Sequence, residues 1–271
     1  MKLFVLLLCT NLVWSLPNKK STSLKTFTGP RIIGGSVARS GQFPFAAAIF
    51  TTTLDGNYFC GGTLLTDQWV LTAGQCVDGA ELFEIHLGTN TLDGSGPYAV
   101  KVSADEYILH PEYDPLTLDN DIGLIWLRLP VEFSDYLKPV DFLPFGELPP
   151  VSSAMAIGWG QIADDDPGLV NDLHYVYVTS VSNPECKIVY GDQITENMVC
   201  AAGNYNEGTC FGDTGGPLVQ IINRGQAVVP AISSFISTNG CESPDPSGYT
   251  RVFTYVDWIR NITGRTGQFN N

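Results

Sequence analysis

Six cysteines, Cys60, Cys76, Cys186, Cys200, Cys210 and Cys241, stand beyond an N-terminal apolar run that holds a seventh, Cys9. That run, in MKLFVLLLCTNLVWS, places Lys2 ahead of Leu3 to Cys9 and offers Ser15 as a cleavage point, the pattern of a secretory signal peptide over residues 1–15. The apolar stretch is too short to span a bilayer, and no later run is long enough either. A secreted, extracellular chain matures in an oxidising compartment, where an even set of cysteines reads as three disulfides. Six cysteines allow fifteen pairings, and spacing alone leaves them open. Zinc is the rival use of cysteine, but the chain has no CxxC pair and only 3 histidines. No metal site and no cofactor are expected.

A cross-braced chain of 271 residues suits one large all-β unit or two small domains. Residues 16–31 are polar and rich in Ser, Thr and Lys, as in a flexible pro-segment. From Ile32 onward the pattern is β-rich. FEIHLG (83–88) alternates Phe83, Ile85 and Leu87 with Glu84 and His86, as a half-exposed strand does. LHYVYVTSV (173–181) is dense in aromatic and β-branched residues, and glycine and proline turns recur at short intervals. Such punctuation favours a sandwich or barrel over βαβ units. One helix is evident, at the end, where Tyr255, Trp258, Ile259 and Ile262 recur at helical spacing. Pro139 to Pro150 reads as a crossing between two halves, 32–145 and 146–252.

Charge narrows the partners. Residues 1–31 hold five basic groups and no acids, so their removal moves the formal charge from −14 to −19. A body so acidic repels nucleic acid and anionic membranes, and beyond solubility charge specifies little; a monomer that meets a protein or peptide is the expectation.

Seven short strings then line up in order across residues 32–262. Arg31-Ile-Ile-Gly-Gly35 resembles the activation site of the chymotrypsin/trypsin-type serine protease family. Cys60-Gly-Gly-Thr-Leu64, Trp69-Val-Leu-Thr-Ala73 and Asp121-Ile-Gly-Leu124 resemble its first half. Gly158-Trp-Gly160, Gly212-Asp-Thr-Gly-Gly-Pro-Leu218 and Tyr249-Thr-Arg-Val252 resemble its second. The resemblance implies an all-β trypsin-like fold of two six-stranded antiparallel barrels, a cleft between them and a C-terminal helix, with residues 32–271 as one protease-like domain. It also implies the pairs Cys60–Cys76, Cys186–Cys200 and Cys210–Cys241, a set similar to that of arthropod, including insect, members.

Within the resemblance the catalytic positions diverge. The mechanism needs a hydroxyl nucleophile, a base to take its proton and a buried carboxylate to orient the base. Asp121 matches the carboxylate. Where the family reads Thr-Ala-Ala-His-Cys, this chain reads Thr72-Ala-Gly-Gln-Cys76, so Gln75 stands at the base. An amide neither titrates near neutral pH nor returns a proton, although it can hydrogen-bond Asp121 and Thr214. Thr214 stands at the nucleophile, its added methyl restricting χ1. Of the histidines, His86 falls on the polar side of its strand, His110 precedes Pro111 on a surface loop, and His174 opens a strand; none maps to the cleft.

Other family features persist. Cleavage after Arg31 would free the amine of Ile32, for which Asp213 is the matching carboxylate, and the N–H groups of Gly212 and Thr214 match an oxyanion hole. The specificity pocket maps to Gly208, Ser234, Phe235, Ile236 and Ser247. Gly208 replaces the acid that selects Arg or Lys, and Ile236 fills in, so a shallow, largely apolar pocket for small residues is expected. Ser234 to Ile236 is the strand that would add a peptide by β-augmentation. Asn261-Ile-Thr263 is a glycosylation sequon. The functional expectation is a secreted, non-catalytic homologue that acts by binding or regulation of a protease, an inhibitor or another secreted protein. The alternative is a chymotrypsin- or elastase-like endopeptidase with residual activity.

Overall fold

The computed structural model describes residues 35–141, 153–204, 207–222 and 225–264. The signal peptide, the pro-segment with Arg31 and Ile32, and most of the crossing between the halves lie outside them.

Seven strands build the first half: β2 (Ala46–Thr53), β3 (Gly56–Leu64), β4 (Trp69–Thr72), β5 (Ala80–Leu87), β6 (Val100–Ala104), β7 (Glu106–Leu109) and β8 (Gly123–Trp126). They run in the order β6-β5-β2-β3-β4-β8-β7, every pair antiparallel. Only Asp105 separates β6 from β7, so these two are one strand bent at that residue. One arm pairs with β5 and the other with β8, and the bend brings the sheet round on itself.

The second half holds β1 (Ser36–Val37), β9 (Ala154–Gly158), β10 (His174–Val181), β11 (Met198–Ala202), β12 (Pro217–Ile221), β13 (Ala227–Phe235) and β14 (Ser247–Arg251). The order β10-β11-β14-β13-β12-β9 closes through a β9–β10 ladder from Ala154↔Val178 to Gly158↔His174. The short β1 adds to β10 from outside. Pro230 cannot donate to a ladder, and the β12–β13 register slips there: Leu218 faces Ala231 while Gln220 faces Val228.

Alternation explains most of the core. Ile49, Phe83, Ile85, Leu87, Leu71 and Leu124 point into the first barrel and are fully buried. His86 departs from the sequence pattern, being 3% exposed rather than on an open face. The ring of Phe50 covers it at 4.9 Å, and its Nδ1 meets Leu92 O at 2.9 Å. The barrels meet backbone to backbone. Gly61 donates to Thr214 O at 2.7 Å, and a Cβ on Gly61 would lie 2.7 Å from Gly216 Cα. Trp159 fills the seam, 1% exposed, with its Nε1 donating to Asn90 O at 2.9 Å.

Two α-helices complete the fold among the described residues. The sequence pattern named only the last, α2 (Val256–Thr263), which follows the second barrel yet returns to the first. Tyr255 donates to Asn120 Oδ1 at 2.9 Å, and the rings of Tyr255 and Trp258 flank His110 at 5.1 Å each. Asn261 is exposed on α2.

The other helix, α1 (Asn183–Tyr190), was not expected, since the sequence pattern marked 173–181 as strand-like and named no helix after it. Ser182 accepts from Glu185 N, Glu185 Oε2 accepts from Ser182 N at 3.3 Å, and Pro184 sits in the first turn. This capping box starts the helix although its apolar stripe is weak. Ser182→Ala is expected to lower unfolding stability by about 0.5–2 kcal/mol in urea titration.

Candidate functional site

The strand ends facing the seam carry the site. Asp121 lies just before β8 and is wholly buried. Its Oδ1 accepts from Gln75 N at 2.8 Å; its Oδ2 accepts from Gln75 Nε2 at 2.7 Å and from Ser234 Oγ at 2.6 Å. Burial drives the Asp121 carboxyl above its ordinary range, opposed by these hydrogen bonds from Ser234 and Gln75. Thr250 Oγ1 ties down the Asp121 carbonyl at 2.8 Å.

Gln75 Nε2 makes a second bond, to Ser234 O at 2.9 Å. Both partners can only accept, which fixes the amide nitrogen toward them. The amide thus spends its two N–H groups on Asp121 and Ser234. No hydrogen bond joins Gln75 to the Thr214 hydroxyl among the described residues, contrary to expectation.

Thr214 sits in the turn before β12, held by its carbonyl to Gly61. Gly212 has φ +97°, a conformation costly for any residue with a Cβ. The N–H groups of Gly212 and Thr214 donate to no described residue, which leaves them open to an incoming oxygen. Between them Asp213 turns inward and is fully buried. It accepts from Gly160 N at 2.8 Å and Cys210 N at 2.9 Å. Burial pushes its carboxyl up to about 6, against the pull of those two donors. No Lys or Arg pairs with it among the described residues.

Disulfides frame these turns: Cys60–Cys76 beside Gln75, Cys210–Cys241 beside the Gly212 turn, and Cys186–Cys200 tying α1 to β11. The histidines are engaged elsewhere. His86 Nε2 contacts Glu84 Oε1 at 2.7 Å, His110 packs in the α2 aromatic cluster, and His174 Nδ1 meets Asp172 O at 2.6 Å.

The expected pocket residues do not all converge. Gly208 and Ser247 share a cavity of about 30 Å³, whose walls include Glu207, Ser243 and Asp245. Its lining is polar rather than apolar, with hydroxyl and carboxylate residues among its walls. Ser234 is not a wall of that cavity: its hydroxyl is committed to Asp121. Phe235 packs edge-on against Tyr190 at 5.2 Å and over Gly248, and Ile236 packs on the Cys210–Cys241 bridge. The Ser234–Asp121 bond escaped sequence reasoning, since a serine in an apolar strand carries no signal of its partner.

A family model described as Trypsin matches residues 32–259. The chain is 34% identical to Brachyurin of Leptuca pugilator over 87% of this chain and 100% of that protein. It is also 34% identical to Collagenase of Hypoderma lineatum, over 86% of this chain and 88% of that protein. A solved structure described as HL collagenase superposes with a TM-score of 0.77 at 33% identity, covering 87% of this chain and 100% of that one.

Proposed function

The chain belongs to the trypsin family, and from that premise we propose that this protein works by binding a protein or peptide, not by cutting it. One observation carries the reading: the group bonded to Asp121 at the seam is the Gln75 amide, with its nitrogen donating at 2.7 Å. An amide cannot take a proton from Thr214 and later deliver one to a leaving amine. Thr214 keeps a hydroxyl, but a threonine nucleophile works only with a base beside it. The three histidines have other partners.

The protein is secreted on this reading, with residues 1–15 as its leader and 16–31 as a pro-segment. Cleavage after Arg31 supplies the Ile32 ammonium to Asp213. A fully buried carboxylate raised to about 6 is the group that such a cation would stabilise. Oxyanion-type N–H groups at Gly212 and Thr214 would then hold a carbonyl without attack on it.

A second reading, an endopeptidase with residual turnover, draws support from those same N–H groups and from relatives named as proteases. Mixed peptides and a fluorophosphonate probe separate the two, applied to protein cut after Arg31. The expected result is no new peptide ends by mass spectrometry and no label on Thr214. Turnover that disappears in Thr214→Ala would establish the enzyme instead.

A further inference from the structure

Strand β5 brings His86 under the loop that follows it, residues 88–99. The ring is buried, and each of its nitrogens has a partner: Nδ1 meets Leu92 O at 2.9 Å and Nε2 meets Glu84 Oε1 at 2.7 Å. A carbonyl and a carboxylate can only accept. The two contacts together therefore require hydrogen on both nitrogens, which is the imidazolium form. A neutral ring has one N–H and satisfies one partner of the two.

What the ring holds is a joint between the barrels. Leu92 N donates to Asn171 O at 2.9 Å, Asp93 N donates to Asn171 Oδ1 at 3.2 Å, and Thr91 forms a β-bridge with Asp172. Asn90 O accepts from Leu173 N at 2.7 Å and from Trp159 Nε1, while Asn90 Nδ2 donates to Ala38 O at 2.9 Å. Leu92 is thus tied by its carbonyl to the first barrel and by its N–H to the second. Through Ala38 the same loop holds the end of β1.

Few charges face the ring. On β5 it is Glu84, whose carboxyl the His86 bond holds below its ordinary range. On β6, Lys101 stands opposite His86 in register, and its Nζ donates to Asp93 O at 3.3 Å. From the loop comes Asp93, held below the ordinary range by its bonds from Ser95. A Cβ on Gly94 would lie 3.6 Å from Nδ1, so the loop backbone passes close over that nitrogen. From β2 come Ala48 and Phe50, which do not titrate. Both carboxylates are therefore ionised near neutral pH, and imidazole is the side chain that ordinarily changes charge between about pH 5 and 8.

We propose that His86 is a proton-operated latch: the imidazolium closes the 89–96 loop onto the second barrel, and loss of one ring proton frees the Leu92 carbonyl and loosens the joint. Of the two bonds the neutral ring keeps the one to Glu84, because a hydrogen bond to a charged group is about twice as strong as a neutral one. The Nδ1 lone pair then faces the Leu92 oxygen, and the two repel. Protonation of a buried histidine is a local change of charge, and the loop is the two-state element that it biases. The latch does not rest on the binding reading above, since none of the chemistry at the seam uses His86.

Two measurements on the full chain test it. NMR of histidine labelled with ¹⁵N should show hydrogen on both His86 nitrogens at about pH 5.5 and on Nε2 alone at about pH 8.5. Hydrogen exchange, corrected for the intrinsic pH dependence of amide rates, should show protection at Leu92, Gly94 and Leu173 falling about tenfold over that range. Glu84→Gln is the discriminating variant, and Glu84 is exposed enough for the fold to accept it. The new amide N–H donates to a neutral Nε2 while Nδ1–H serves Leu92 O, so the loop should stay closed at both pH values. A single ring proton at the lower pH, equal protection at both in the natural chain, or an undiminished fall in Glu84→Gln would each overturn the proposal. So would a neutral ring that keeps Leu92 and releases Glu84.

Discussion

Gln75→His combined with Thr214→Ser is expected to raise peptide hydrolysis by about 10³-fold or more over the natural protein, after cleavage at Arg31. The expectation follows from what the site still holds. Asp121 is buried and aimed by Ser234, and an imidazole Nδ1–H could take the place of the amide nitrogen that now sits 2.7 Å from Asp121 Oδ2. The other imidazole nitrogen would then be free to serve the hydroxyl at position 214. Removing a base or a nucleophile from a comparable triad costs about 10⁶ in turnover, and the losses do not add. Each single variant should therefore stay near background, because either defect alone silences the chemistry. A gain of about 10³ corresponds to about 4 kcal/mol of transition-state stabilisation. Rates are read on mixed peptides, with circular dichroism confirming the fold. Natural protein already as fast as the double variant would refute the binding reading. A folded but inert double variant would place the defect elsewhere in the cleft.

The second large effect is on stability before cleavage. The Asp213 carboxyl moves from an ordinary 3.8 to about 6 in the folded chain. A raised carboxyl means that the folded state holds its proton more tightly than the unfolded state. Between pH 3.8 and 6 the folded chain binds more protons, so stability falls as pH rises. The contribution is fully present below pH 3.8 and lost above about 6, and amounts to about 3 kcal/mol. Urea unfolding of the uncleaved chain should show this loss between pH 4 and 7, and Asp213→Asn should remove it. If cleavage brings the Ile32 ammonium to Asp213 as proposed, the loss should vanish in the cleaved chain too. Parallel pH profiles for the natural chain and Asp213→Asn would show that Asp213 is not the group responsible.

The sequence revealed much of this because strand alternation and fixed turns are local properties. Ile85 and Phe83 could be assigned to an interior from period alone, whereas Asp121 was placed by the resemblance of Asp121-Ile-Gly-Leu124 to the family. Helix α1 was missed because its signal is a capping box, Ser182 to Glu185, and not an apolar stripe. His86 looked exposed because its strand alternates, yet Phe50 on the neighbouring strand covers it. Cross-strand cover depends on register, which one strand does not contain. Ser234 shows the remaining limit, since its hydroxyl finds a carboxylate 113 residues away.

Helix α2 has a further consequence for biogenesis. Tyr255 hydrogen-bonds Asn120 across 135 residues, so the first barrel leaves the ribosome well before the piece that seals its flank. At about 5–20 residues per second, the nascent half waits roughly 7–27 seconds with the His110 side uncovered. Translation therefore exposes an unfinished surface, and chaperones have that interval in which to engage it.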